Sequence, residues 1–106
     1  MNPADCQSMV DVRAGVDALD QELVALLARR FAYMDAAARI KGDRGAVRDE
    51  ARKAAVITNA ERGAVAAGVP TGLTAQIWET LVEASIAYEM KAWDRLRCWG
   101  VPSAKP

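Results

Sequence analysis

The sequence predicts an all-α protein, and three observations predict it. Apolar residues recur in alternating steps of four and three over long stretches. Alanine is abundant while aromatic residues make up only 6 % of the chain. The β-branched residues never fall into the alternating runs that a sheet requires. The expected architecture is a single domain spanning 1–106, a three-helix protomer with one long N-terminal helix.

The first helix is expected over 9–41. Ser8 followed three positions later by Asp11 is close to a capping box, and the apolar pattern begins immediately behind it. Val12, Val16, Leu19, Leu23, Leu26, Arg30, Tyr33, Ala37 and Ile40 then trace a heptad-like stripe. A rod of that length measures roughly 50 Å. Gly42, Asp43, Arg44 and Gly45 interrupt the pattern with turn chemistry. A second helix is expected over 48–67, stopped by Gly68 with Pro70 just beyond. Thr71 caps a third, expected over 72–97, whose stripe reads Leu73, Ile77, Leu81, Ser85, Tyr88, Ala92 and Leu96. The tail 98–106 reads as irregular.

Composition narrows the function classes. Lysine plus arginine equals aspartate plus glutamate, 14 against 14, so no overall bias draws the chain to nucleic acid or to an anionic membrane. Any anion must be caught by a local cluster. The chain has no histidine, which excludes imidazole as a general base, triad member or metal ligand. Cys6 and Cys98 stand near opposite ends in no metal-ligand spacing and form no disulfide framework. Asp5, Gln7 and Ser8 occupy the place where a signal peptide would need apolar residues, and no segment approaches the ~20 apolar residues of a membrane span. The expected location is the cytoplasm.

The first helix is much longer than the second, so folding back within one chain would leave about half of its stripe bare. A second copy is the natural cover. Arg30 holds a core-type heptad place, seven residues after Leu23, where an unpaired guanidinium is costly to desolvate. It either meets an anion, snorkels to solvent, or pairs with Glu22 or Asp35. Arg13 stands in the first turns, where the helix dipole disfavours a cation. Its choices are a ligand or a surface pair with Asp17. Along one helix the two arginines are about 25 Å apart, too far for one small ligand. If two copies pack antiparallel about a midpoint near Val24, Arg13 of the partner falls beside the stretch between Arg30 and Lys41. Lys41 lies about 16 Å from Arg30 along the axis, a gap that suits a dicarboxylate. As a residue at a helix C-terminus Lys41 is equally an ordinary dipole partner. Ser85 and Glu89, four apart, share the inward face of the third helix. A glutamate buried there needs a cation or a proton; at the edge of the stripe it would be solvated.

Three segments of the stretch Asp11 to Lys41, Val-Arg-Ala-Gly-Val-Asp-Ala-Leu-Asp, Leu-Leu-Ala-Arg-Arg and Ala-Arg-Ile-Lys, resemble the all-α chorismate mutase family. So do Val-Arg-Asp-Glu-Ala-Arg from Val47 to Arg52 and the surroundings of Ser85 and Glu89. The likeness covers nearly the whole chain. It implies an intertwined helical homodimer with two equivalent sites, each completed by the other chain's first helix. It also implies roles: Arg13 of the partner and Arg30 on substrate carboxylates, and Lys41 on the ether oxygen and a carboxylate. Asp49 would meet the ring hydroxyl of chorismate, and Arg52 and Ser85 would support binding. Glu89 stands opposite the ether oxygen, where many members have glutamine, and must be protonated to donate there. Lys53 stands where well-known members carry a glutamate that assists hydroxyl recognition.

The implied reaction, chorismate to prephenate in aromatic amino-acid biosynthesis, is a concerted pericyclic shift that needs no nucleophile, metal or cofactor. A histidine-free chain suits it. Catalysis then rests on holding the folded substrate and on donors aimed at the charge that gathers on the ether oxygen. Two other readings stand. Isochorismate pyruvate lyases share the scaffold, and the opening Pro-Ala-Asp-Cys together with Lys91 and Trp93 is similar to that branch, whereas Asp49 suits the mutase. The third reading is a helical dimerisation module without activity, with no basic face for nucleic acid.

Overall fold

The computed structural model describes residues 2–99, and among them every regular element is helical. Three long helices follow one another: α1 (Met9–Ile40), α2 (Glu50–Ala67) and α3 (Thr71–Trp99). Short 3-10 turns precede α1 (Pro3–Asp5) and α2 (Arg44–Ala46). The expected irregular tail beyond Trp99 lies outside the described residues.

The chain divides into two compact units, one up to Tyr33 and one from Met34 onward. In the first, Ser8 Oγ accepts the Asp11 N–H at 3.3 Å, and Asp11 Oδ2 returns a bond to the Gln7 N–H at 3.1 Å. This is the reciprocal capping the sequence suggested, with the return bond one residue early. Along this stretch of α1, Val16, Leu19, Leu23, Val24 and Leu26 remain 49–60 % exposed.

In the second unit α2 packs on α3. Its buried positions are mostly small or polar: Ala38, Val47, Ala64, Val82 and Ala92, with Thr74, Ser85 and Glu89 among them. Gly68 stops α2 with φ 76°, in the left-handed region that glycine enters freely. Its N–H returns to Val65 O and that of Val69 to Ala64 O, the paired closure expected of a glycine stop.

Four boundaries differ from the expectation, the first being that α1 ends at Ile40 rather than at residue 41. Helix α2 starts at Glu50 rather than residue 48, because Asp49 is extended (φ −130°) and its Oδ1 accepts the Arg52 N–H at 3.0 Å. A side-chain cap at that position must stand outside the helix it caps. Helix α3 starts at Thr71 itself, whose following turn is closed by Thr74 N–H to Pro70 O. It also runs through Cys98 to Trp99, past the expected end at 97. No helix among the described residues is long and apolar enough to cross a membrane.

Candidate active site

Lys41 is the first residue beyond α1, and its N–H still closes onto Ala37 O at 2.9 Å. Its ammonium Nζ lies 2.7 Å from Oε2 of Glu89 on α3. The two groups differ in environment: the glutamate side chain is 5 % exposed and the lysine side chain 31 %. A glutamate this deep demands a counter-charge, and Lys41 supplies it. The ammonium approaches Oε2 off the hydrogen-bonding angles, so among the described residues no hydrogen bond reaches this buried oxygen. The pair is electrostatic.

Ser85 stands one turn before Glu89 on the same stripe and is also buried, its Oγ donating to Leu81 O at 2.7 Å. Both polar side chains therefore point into the unit, as the four-residue spacing implied. Asp49 and Arg52 sit together at the entry of α2, joined by the cap that Asp49 provides. Both are exposed. Arg13 and Arg30 belong to the first unit, Arg13 exposed and Arg30 half-buried on α1. Asp35, one of the carboxylates weighed for Arg30, accepts the Tyr88 hydroxyl on both oxygens at 2.9 and 3.0 Å. That hydrogen bond holds the tyrosine proton in place and raises the phenol above its ordinary range.

Lys53 has a definite place. Its ammonium joins Glu79 at 2.9 Å and Glu83 at 2.8 Å, while Arg48 reaches Glu83 at 2.7 Å and Glu50 at 2.8 Å. These contacts clasp the start of α2 to α3. Hydrogen bonds from Arg48, and then from Lys53, hold the Glu83 carboxyl down at about 2. A second bridge, Arg44 Nε to Asp94 at 2.7 Å, ties the turn before α2 to the end of α3 and lowers the Asp94 carboxyl.

Sequence reasoning missed the residues that hold the end of α1. Trp93 Nε1 donates to Lys41 O at 2.9 Å, and Arg97 donates to the carbonyls of Ala38, Arg39 and Lys41. The available signal was spacing: Ser85, Glu89, Trp93 and Arg97 follow at intervals of four and so share one ridge of α3.

The model of the family described as chorismate mutase type II matches residues 12–90. Among curated proteins, an isochorismate pyruvate lyase from Pseudomonas aeruginosa is 30 % identical over 95 residues, a stretch covering 90 % of this chain and 94 % of that protein.

Proposed function

Because the chain belongs to the chorismate mutase type II family, we propose that it is a cytoplasmic chorismate mutase, a homodimer that rearranges chorismate to prephenate. The observation that carries this reading is the Lys41–Glu89 pair, a buried carboxylate met by a half-buried ammonium. A cation and, when Glu89 is protonated, a second donor converge there, which suits an oxygen that gains charge in the transition state.

The chemistry needs little else. Arg30, and Arg13 from the second copy, clamp the two substrate carboxylates and hold the enolpyruvyl arm folded over the ring. Asp49, whose Oδ1 is engaged by the cap, meets the ring hydroxyl with its other oxygen, while Arg52 and Ser85 support binding. As the carbon–oxygen bond breaks, Lys41 stabilises the developing negative charge more than it stabilises the ground state. Glu89, when protonated, adds a second donor. Dimerisation is supported by the half-exposed leucines and valines of α1, a row that water does not favour leaving bare.

A second reading has its own observation, the likeness over 95 residues to a protein named isochorismate pyruvate lyase. The same cationic cluster would serve that elimination, giving salicylate and pyruvate. Purified protein assayed with each substrate separates the two. The mutase reading expects prephenate from chorismate with the higher kcat/KM. Salicylate fluorescence appearing more efficiently from isochorismate would transfer the assignment to the lyase. Turnover of neither, with no rise in Tm on adding either, would leave a dimerisation module.

A further inference from the structure

Trp93 and Arg97 take no part in the proposed reaction, yet they hold the residue that does. The last carbonyls of a helix have no partner within it. In α1 these begin at Ala38, because Ala37 O is taken by the Lys41 N–H. Arg97 Nη1 donates to Ala38 O at 2.6 Å, and its Nη2 reaches Arg39 O at 3.5 Å and also Lys41 O. Trp93 Nε1 adds a bond to Lys41 O at 2.9 Å. The guanidinium carbon lies 4.5 Å from the centroid of the Trp93 ring, so the indole backs the fork as well as sharing its target.

Lys41 stands past the helix end, where the ladder no longer dictates backbone direction. Its side chain must nevertheless arrive at Glu89. We propose that Arg97 and Trp93 are positioning residues: by gripping the Lys41 carbonyl from the ridge that carries Glu89, they set the direction in which the Lys41 ammonium enters the site. The inference rests on the role given to Lys41 above. One ridge of α3 then holds Lys41 at both ends, its ammonium through Glu89 and its backbone through Trp93 and Arg97. A planar fork reaches these carbonyls from two separate nitrogens in a fixed geometry, whereas a lysine has one nitrogen on a flexible stem. The guanidinium also offsets the negative end of the α1 dipole, which would otherwise oppose an anionic substrate. Misplacement by about 1 Å is enough to cost on the order of a hundredfold in rate.

The test compares Arg97→Ala, Arg97→Lys and Trp93→Phe with a control, Arg44→Ala, which cuts another tie to α3 without touching Lys41. On whichever substrate the wild type turns over, Arg97→Ala should lower kcat by roughly tenfold or more and leave KM within about threefold, because the carboxylate clamps are intact. Arg97→Lys and Trp93→Phe should fall between. Arg44→Ala should lower Tm and keep kcat. If Arg97→Ala does not fold, the two milder variants carry the same comparison. Unchanged kcat in the Arg97 and Trp93 variants overturns the inference, as does a loss in Arg44→Ala that scales with Tm in the same way. If the wild type acts on neither substrate, the functional reading fails separately. The positioning claim is then decided by NMR of the Lys41 side chain. Its signal should respond to Glu89→Gln in the wild-type background, because the two groups meet at 2.7 Å; loss of that response in Arg97→Ala sustains the claim, and an undiminished response overturns it.

Discussion

Lys41 Nζ and Glu89 Oε2 meet at 2.7 Å with the carboxylate side chain only 5 % exposed, so a cation at the end of α1 and an anion on α3 neutralise each other largely away from water. The pair serves stability and, on the proposed reading, catalysis, and substitutions separate the two roles.

On the proposed reading Lys41→Ala removes a donor at the ether oxygen and should cut kcat/KM by about a hundredfold or more. It also strands the Glu89 carboxylate, at a cost of roughly 1–3 kcal/mol, below that of a fully buried pair because Lys41 is partly exposed. Adding Glu89→Gln to Lys41→Ala should restore most of the stability in urea unfolding and none of the rate. A Lys41→Ala enzyme of wild-type speed would remove the lysine from the mechanism.

Glu89 donates a hydrogen bond to an ether oxygen only while it carries a proton. Glu89→Gln, a donor whatever its surroundings, should therefore keep or raise kcat, while Glu89→Ala should lower it by about tenfold or more. Equal rates for Glu89→Gln and Glu89→Ala would exclude Glu89 as a donor.

The shared site is tested by complementation. Arg13→Ala and Lys41→Ala homodimers should each be nearly inactive. Unfolded together and refolded as an equal mixture, half of the dimers are mixed, and each mixed dimer rebuilds one of its two sites, so about a quarter of wild-type activity should return. Recovery of none would show that Arg13 and Lys41 act within the same chain and overturn the shared site.

Acid should loosen the α2–α3 clasp over a definite window. Glu83 titrates at about 2 in the fold against an ordinary value of 4.5, so its contribution is fully present above about 4.5 and is lost as pH falls toward 2. Asp94, held low by Arg44, acts in the same direction. Tm recorded across this range should decline, and the decline should be shallower in Glu83→Gln. Both carboxylates are well exposed, so high salt should blunt the effect. A Tm–pH curve identical in Glu83→Gln would show that the clasp carries no linkage.

Much of the fold was legible because its signals are local. Ser8 and Asp11 are three residues apart, Gly68 acts at its own φ, and the stripe from Val12 to Ile40 repeats within each turn. The start of α2 falls at Glu50 rather than Arg48 because a helix-forming run does not reveal which carboxylate caps it; Asp49, extended and bonded to the Arg52 N–H, makes that choice. The departure at Lys53 gained its account only from Glu79 and Glu83, on another helix.

By itself the sequence determined three helices, the glycine stop of the second, one face of α3 shared by Ser85 and Glu89, and a shortlist of cations that a histidine-free site could use. The tertiary structure alone decided that Lys41 is the cation that answers Glu89, and that Trp93 and Arg97 hold its backbone in place. The physical reason is range. Periodicity and capping act within a few residues of one helix, whereas a pair between the end of α1 and the middle of α3 exists only once packing has set those two segments side by side.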